Sequence, residues 1–287
     1  MTSFHQDEAD NLRKVFSQSE TIMNNHNILI QAAGEIAMLA GKLILELSTH
    51  DRRITFKSAR DMVTEVDQAS EAFIVAEIRK RFPEHEILAE EGGVSTSNQS
   101  SYRWIIDPLD GTTNFVHRFP VFAVSIGIEY QGELYVAAVY DPNRDELFTA
   151  GLRQGAFLNG EQIKISDTRD LGKSLLATGF SYFNDDYFKL NMELWASIYG
   201  KTQGLRRAGA AAIDLAWLAC GRLDGLWEFS LKPWDIAAGA LLVTEAGGLV
   251  SGPRGEALNL KTGHIIAANP YIHPMIIEEI DLFKHRL

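Results

Sequence analysis

The stretch Trp104-Ile-Ile-Asp-Pro-Leu-Asp-Gly-Thr-Thr-Asn-Phe115 (WIIDPLDGTTNF) places two carboxylates, a proline and a glycine directly after three apolar residues. The apolar run predicts a buried strand, and the DPLDG segment predicts its end. Acidic residues at the end of a strand have two readings, because they occur both in ordinary turns and in ligand sites. The rest of the sequence must decide between them.

The composition is that of a globular protein. The chain has 287 residues, of which 46% are hydrophobic and 23% charged, enough for one large domain or two closely packed ones. The net charge is -11, and the basic residues are scattered rather than clustered. This pattern argues against direct binding of nucleic acid, which needs a basic surface. An acidic protein that binds an anionic substrate would need metal cations.

The cysteine content and the N-terminus indicate a cytoplasmic protein. Cys220 is the single cysteine, and its apolar surroundings predict a buried core thiol in a reduced compartment. The first ten residues are acidic and lack the apolar core of a secretory signal. Residues 28–47 are apolar, but charged and polar side chains interrupt them, which predicts an amphipathic helix and no membrane span.

Strands and helices alternate along the chain. Residues 67–82 have a helical period, with Asp67 placed as the N-cap and Pro83 closing the helix. Four strands are expected in the first half, at 86–91, 103–107, 122–129 and 133–140. The second half alternates strands near 175–180, 204–207, 223–229 and 264–269 with helices near 187–199, 211–221 and 235–246.

This order predicts a layered α/β protein with helices packed on sheets. We expect an N-terminal α+β part, residues 1–168, and a C-terminal α/β part, residues 169–287. No linker-like segment separates the two parts, so they should form one compact unit. Residues 1–22 are polar and are expected to be a disordered extension that activity does not need.

Several acidic residues lie at the predicted ends of strands or at the start of a helix. Glu90 and Glu91 end one strand, Asp107 ends the next, Asp110 follows in the turn, and Asp235 opens a helix. Such side chains can converge on one point, and oxygen ligands gathered in this way suit Mg²⁺ or Mn²⁺ rather than Zn²⁺. The sequence therefore favours a metal site.

The residues that follow Asp110 suit a phosphate group. Gly111 allows close approach of the backbone, and a helix that opens at DGTTNF would direct the amides of Gly111 and Thr112 outward. Such amides bind anions. Carboxylate-bound cations beside a phosphate form a site for attack of water on a phosphate ester.

At these residues the chain resembles the inositol monophosphatase family, and its bacterial members in particular. The resemblance rests on LAEEGG (residues 88–93), WIIDPLDGTTNFVHRFPVFAVSIG (104–127) and PWDIAAGALLVTEAGG (233–248). DMVTEVDQASE (61–71), RRAGAAAIDLAWLACGRLDGLWE (206–228) and HIIAANP (264–270) extend it, so that it runs from about Asn27 to the C-terminus.

The resemblance implies a five-layered α-β-α-β-α sandwich of the inositol monophosphatase and fructose-1,6-bisphosphatase type. It also implies a Mg²⁺-dependent phosphomonoesterase with two or three ions per site, Mn²⁺ being an alternative ion. Inhibition by lithium and a homodimeric state are further implied properties.

The resemblance also assigns roles to single residues. Glu90, Asp107 and the carbonyl of Leu109 would ligate a first metal, and Asp107, Asp110 and Asp235 a second. Thr112 and Glu90 would orient the attacking water, with Asp67 supporting Thr112 and lying near a third, weaker metal. Gly111 and Thr112 would hold phosphate, whereas Asp110, Glu228 and the backbone near Ala211 would meet the substrate hydroxyls. Glu91 would lie just outside the ligands, and Lys57 near the metal and phosphate.

Several of these residues have a purely structural alternative. Asp67 would serve only as a helix cap, Asp235 would only complement a helix dipole, and Glu228 would be a solvated acid at a strand end. Two positions depart from the family pattern. Ala210 stands where relatives often carry Thr, and Gly92-Gly93 follow the paired glutamates where many carry Ser.

Two classes of function follow. The first is a phosphatase that acts on myo-inositol monophosphate or a similar polyol phosphate, with fructose-1,6-bisphosphate and adenosine 3',5'-bisphosphate as rival substrates. The second is an interaction protein that keeps the fold and works through the transcription and ribosomal-RNA machinery, with which bacterial relatives have been linked. The complete set of acidic ligands favours the enzyme.

Overall fold

The computed structural model describes residues 26–48, 54–56, 62–95, 100–181 and 186–283. The predicted extension, residues 1–22, and Lys57 lie outside these ranges. The helices are α1 His26–Leu47, α2 Glu65–Arg81, α3 Thr112–Val116, α4 Asp186–Tyr199, α5 Ala211–Ala219, α6 Pro233–Glu245 and α7 Ile272–Asp281.

Fifteen strands lie in the described ranges. They are β1 Ile54–Phe56, β2 Met62–Thr64, β3 Glu86–Ala89, β4 Gly93–Ser95, β5 Tyr102–Asp110, β6 Ala123–Tyr130, β7 Glu133–Asp141, β8 Glu146–Gly151, β9 Gly155–Leu158, β10 Glu161–Ile163, β11 Leu175–Thr178, β12 Gly204–Arg206, β13 Gly225–Glu228, β14 Leu249–Ser251 and β15 Ile265–Ala268.

Strands β3 to β15 form two sheets. The larger sheet has the order β10-β9-β8-β7-β6-β5-β3-β4 and is antiparallel except for the parallel pair β3 and β5. The smaller sheet has the order β12-β11-β13-β15-β14, with β12, β11 and β13 parallel to one another. Strands β1 and β2 form a separate antiparallel two-stranded sheet.

The helices complete five layers. Helices α1 and α2 bury their apolar faces in one core cluster with the larger sheet. Helices α5 and α6 pack between the two sheets, and α4 and α7 cover the far face of the smaller sheet in a third cluster. The order of layers is α-β-α-β-α, which confirms the expected fold class.

The middle layer joins the two halves of the chain. Its core cluster combines Ala123 and Val139 from the larger sheet with Ile213 and Leu242 from α5 and α6. Gly239 lets these two helices approach closely, since a Cβ there would lie 2.5 Å from Leu215. The domain boundary near residue 168 stays a prediction. Apolar contacts in this cluster connect residues from both sides of it.

Helix α1 is long and apolar enough to cross a membrane by length and composition alone. Half of its most apolar window is buried within the protein, however, and Ala33, Ile36 and Ala37 are fully enclosed. The interrupting polar residues lie on the other face, where Gln31 bonds to Glu35. The helix therefore has the two faces of an amphipathic core helix.

Three predicted details of the elements are wrong. Helix α2 begins at Glu65 with Thr64 as its N-cap, and Asp67 is the third helical residue, which completes a capping box. Helix α6 begins at Pro233, so Asp235 is likewise a third residue. Cys220 caps the C-terminus of α5 and is partly exposed rather than buried, because the chain turns outward there.

Candidate active site

Strand β5 does not end at Asp107 as the sequence predicts, but continues to Asp110 through an irregularity. Asp107 pairs with Ser125 and Asp110 with Ala123, so three steps on β5 match two steps on β6. This extra residue is a β-bulge. Pro108, which has no amide hydrogen to donate, fits at such a position, and its carbonyl accepts a hydrogen bond from Ser70 at 2.9 Å.

Glu90 comes to the site from the neighbouring strand. Its amide donates to the carbonyl of Ile106 at 3.3 Å and continues the parallel pairing of β3 and β5 beyond Ala89. The glutamate therefore follows the end of β3, beside the end of β5. Glu91 is the next residue, and its amide donates to Glu71 Oε2 at 2.8 Å.

Thr112 is the first residue of α3, and Asp67 fixes its hydroxyl. Thr112 Oγ1 lies 2.8 Å from Asp67 Oδ1 and 3.2 Å from the carbonyl of Leu109. The other oxygen of Asp67 accepts hydrogen bonds from the amide and the hydroxyl of Thr64. Gly111 caps α3 with a φ of 94°, a conformation that favours glycine.

Asp235 reaches the same place from the start of α6. Its Oδ2 accepts a hydrogen bond from the amide of Lys232 at 2.7 Å. The carboxyl of Asp235 also forms a hydrogen bond with that of Asp107, which offsets part of the rise that burial causes in the pKa of Asp235. Strand β5 and helix α6 therefore bring together two acids that are more than a hundred residues apart in sequence.

These residues line one pocket of about 440 Å³, where the ends of β5, β11 and β13 meet the first turns of α3, α5 and α6. The lining includes every predicted metal and substrate residue, namely Glu90, Asp107, Leu109, Asp110, Gly111, Thr112, Ala211, Glu228 and Asp235. Asp67 lies behind Thr112, and Glu91 also lies outside the lining.

The acids raise one another's pKa. Burial, followed by the charges of Glu90, Asp110 and Asp235, raises the pKa of Asp107 well above its ordinary value. Burial, together with the charge of a neighbouring acid, raises the pKa of Asp110 and of Asp235 to about 7. Negative charge in this pocket is therefore costly unless a cation compensates it.

Asp110 also caps α5. Its Oδ2 accepts a hydrogen bond from the amide of Ala212 at 2.7 Å, and burial raises its pKa less than it otherwise would because the amides of Ala211, Ala212 and Ile213 stabilise the carboxylate. The N-cap of α5 is Ala210, which has no side chain to perform this task. The departure from the family pattern at Ala210 is thus compatible with a capped helix, because Asp110 supplies the acceptor.

Glu228 ends β13 and faces the pocket. Its carboxyl is buried, and burial, with the charges of Asp214, Asp235 and Asp110, raises its pKa well above the ordinary value. A Cβ at residue 179 would lie 1.8 Å from Glu228 Oε1, so only glycine leaves room for the glutamate there. The alternative of a solvated acid at a strand end is wrong for Glu228.

Sequence reasoning missed Asp214 and Arg207. Both line the pocket, and both also line a neighbouring apolar groove of about 640 Å³, so they form the wall between the two. Asp214 is 2% exposed, and within the described ranges its Oδ1 and Trp217 Nε1 are the buried side-chain atoms that lack a hydrogen-bond partner. The RRAGAAAIDLAW segment contains all three residues, but its periodicity indicates only a helix.

The donor set fits hard divalent cations. All the side-chain donors are carboxylate or hydroxyl oxygens, and cations would offset the mutual repulsion that raises the pKa values. In the described part of the chain, no three acidic, histidine or cysteine side chains form a ready-made ligand cluster. The acids instead line the wall of an open pocket.

The layers and the pocket define a five-layered α-β-α-β-α protein with an acid-lined site between its two sheets. The chain belongs to the inositol monophosphatase family, whose model matches residues 25–283. Members of this family are in general metal-dependent phosphatases.

Individual relatives carry two kinds of name. The chain is 47% identical to the Nus factor SuhB of Pseudomonas aeruginosa, over 85% of this chain and 90% of that protein. It is 46% identical to the inositol-1-monophosphatase of Synechocystis, over 85% of each. The crystal structure of the extragenic suppressor protein suhB from Bartonella henselae superposes with a TM-score of 0.85 at 36% identity, covering 88% of this chain and 98% of that one.

Proposed function

We propose that this protein is a Mg²⁺-dependent phosphomonoesterase that hydrolyses myo-inositol monophosphate or a similar polyol phosphate. One observation carries the proposal. Asp107, Asp110 and Asp235 face one pocket in which their charges repel one another, beside a hydroxyl that Asp67 holds in place. This arrangement costs stability and is expected where cations and a phosphate ester bind.

The acids would form two neighbouring cation sites. Glu90, Asp107 and the carbonyl of Leu109 would hold one ion, and Asp107, Asp110 and Asp235 the other. Mg²⁺ ions, when bound, supply activation of water and compensation of the charge that develops on the phosphate and leaving oxygens. Mn²⁺ has the same preference for oxygen ligands and would be expected to substitute.

Thr112 and Glu90 would orient the attacking water. Because Thr112 Oγ1 donates its proton to Asp67, its lone pairs are left to accept a hydrogen bond from water. Glu90, which also lines the pocket, would be a second acceptor. Two fixed acceptors would hold both protons of one water molecule, which points its oxygen at the phosphorus.

The remaining groups would bind the ester. The first amides of α3, at Gly111 and Thr112, have no acceptor within the helix and would hold phosphate oxygens. Glu228 and the backbone at Ala211 would meet the hydroxyl groups of the polyol. Burial, with the charges of Asp214, Asp235 and Asp110, raises the pKa of Glu228 and so favours its protonated carboxyl, which can donate a hydrogen bond as well as accept one.

A panel of phosphate esters tests this proposal. The purified protein would be assayed for phosphate release from myo-inositol 1-phosphate, fructose-1,6-bisphosphate and adenosine 3',5'-bisphosphate, each with Mg²⁺ and with a chelator. We expect Mg²⁺-dependent turnover that is highest with the inositol ester. A higher kcat/KM with either bisphosphate would correct the substrate, and no Mg²⁺-dependent release from any ester would overturn the proposal.

A second function is favoured by one comparison. The 47% identity to a protein named Nus factor SuhB supports a role as a partner of the transcription machinery, alongside or instead of catalysis. Binding of purified transcription complexes to the parent and to an inactive Asp235→Asn variant would separate the two functions. Equal binding by both proteins would show that the partner role does not need the metal site.

We further propose a cytoplasmic homodimer. The groove beside the active site offers an apolar face, with Phe119 52% exposed and the Arg144 guanidinium 4.9 Å from the centre of the Trp217 ring. A pair of copies would show twice the 32.0 kDa mass of one chain in light scattering. Phe119→Asp should reduce that mass if this face forms the contact, whereas an unchanged dimer would place the contact elsewhere.

A further inference from the structure

Helix α2 turns three buried polar side chains toward the candidate active site. Asp67, Ser70 and Glu71 are 1%, 0% and 7% exposed, and their spacing places them on one face of the helix. Burial of polar groups costs free energy unless each finds a hydrogen-bond partner. The partners of these three side chains therefore explain why the helix tolerates them.

Each of the three side chains bonds to a different segment of the site. Asp67 accepts from the hydroxyl of Thr112, at the start of α3. Ser70 donates to the carbonyl of Pro108, in the bulge between the two aspartates of β5. Glu71 accepts from the amide of Glu91, in the turn after β3. One helix thus contacts the two segments that carry Glu90, Asp107 and Asp110, and also the segment that carries Thr112.

Glu71 bonds to the turn through one carboxylate oxygen and packs against Gly92 with the other. Oε2 lies 2.8 Å from the Glu91 amide, and Oε1 would lie 2.9 Å from a Cβ placed on Gly92. A residue larger than glycine at position 92 would therefore displace the carboxylate. On its other side the turn is tied to β5 by the bond from the Glu90 amide to Ile106.

We propose that Glu71 is a positioning residue, which fixes the turn at Glu90 and Glu91 so that the Glu90 carboxylate faces the pocket. This inference rests on the proposed function, because it assigns Glu90 a role with cations and water. Glu71 itself is absent from the lining of the pocket and acts through the backbone of Glu91.

Two substitutions at Glu71 test the inference. Glu71→Gln keeps an oxygen that can accept the Glu91 amide, whereas Glu71→Ala removes it. We expect Glu71→Ala to lower kcat at least tenfold and to raise the Mg²⁺ concentration needed for half-maximal activity, with KM for the ester within twofold. Glu71→Gln should restore both quantities to within threefold of the parent.

Glu77→Ala is the matched control. Glu77 lies on the same helix and pairs with Lys80 and Arg81 at the surface, away from the site. Its loss should leave kcat and the Mg²⁺ requirement unchanged. Equal effects of Glu71→Gln and Glu71→Ala, or a lower melting temperature in Glu71→Ala with parental kcat and Mg²⁺ requirement, would overturn the inference.

A binding readout separates this inference from the proposed function. Mg²⁺ should raise the melting temperature of the parent and of Glu71→Gln at lower concentration than that of Glu71→Ala, in the absence of any ester. If the parent releases no phosphate from any ester, the proposed function fails, and this titration still tests the positioning of Glu90. Identical Mg²⁺ titrations for all three proteins would overturn the positioning role.

Discussion

Asp107 and Asp110 face the same pocket because one extra residue bulges between them on strand β5. Side chains alternate between the two faces of a regular strand, so residues three positions apart would point in opposite directions. Because of the bulge, three residue steps on β5 span only two steps on β6, so both carboxylates point to the same side of the sheet. Ser70 holds the bulge through the carbonyl of Pro108.

Asp110 should have separable roles in catalysis and in capping α5. Asp110→Asn and Asp110→Ala should both lower kcat at least ~10²-fold, since each removes a charge that compensates cations. Asn keeps an acceptor for the Ala212 amide, so Asp110→Ala should be less stable than Asp110→Asn by about 1 kcal/mol in urea unfolding without Mg²⁺. Equal stability of the two variants would show that Asp110 does not cap the helix.

Asp235→Asn should separate metal binding from scaffold stability. The amide can still accept from Lys232, but the lost charge should lower kcat by at least ~10²-fold, on the order of 2.7 kcal/mol. Without Mg²⁺ the variant should melt at the same temperature as the parent or higher, because repulsion from Asp110 is relieved. Added Mg²⁺ should stabilise it less.

The two readings of Asp235 predict opposite results. If the residue only complements the dipole of α6, its replacement would cost roughly 0.3–1 kcal/mol of stability and leave turnover near normal. Melting curves with and without Mg²⁺, together with turnover, distinguish the two. A variant that is less stable and fully active would refute the metal role.

Lithium should inhibit the proposed phosphatase activity. A small, hard monovalent ion can occupy a carboxylate site without matching the charge of Mg²⁺, so it would leave the phosphate poorly compensated. Activity should fall with millimolar LiCl, while NaCl at equal ionic strength should have little effect. The same response to both salts would contradict an effect at the metal site.

His85 should make stability depend on pH. Its Nδ1 accepts from Trp104 Nε1 at 3.0 Å, and burial, followed by the charge of Arg79, lowers its pKa below the ordinary 6.5. The imidazole of His85 therefore binds a proton more readily in the unfolded chain than in the folded one. The stability that the neutral ring contributes is present above pH 6.5 and is lost as the pH falls toward the lowered pKa.

His85→Phe keeps the ring stacking with Phe82 and removes the titration. Comparing this variant with the parent cancels the other titrating groups, including the acids of the pocket. Between pH 7.5 and 5.5 the melting temperature of the parent should fall relative to that of His85→Phe. A constant difference across this range would show that His85 is not the titrating group.

Sequence patterns alone were enough to predict the alternation of strands and helices and to identify the acids at their ends. WIIDPLDG and PWDIAAG could be placed at element ends because apolar runs and turn residues are local signals. The free amides at Gly111 and Thr112 could also be predicted from the sequence. A glycine directly before a helix start affects only the backbone next to it, so this feature depends on neighbouring residues alone. Local chemistry was enough for these features.

The tertiary structure alone decided which acids meet and what holds them there. The bulge in β5 depends on pairing with β6, and its register cannot be read from one strand. Asp110 caps α5 in place of Ala210 by a bond to the amide of Ala212, which is 102 positions away in sequence. Glu71 supports the turn at Glu91, which is 20 positions away. Such contacts form only after the layers pack, because distant segments must first be brought together by burial of their apolar faces.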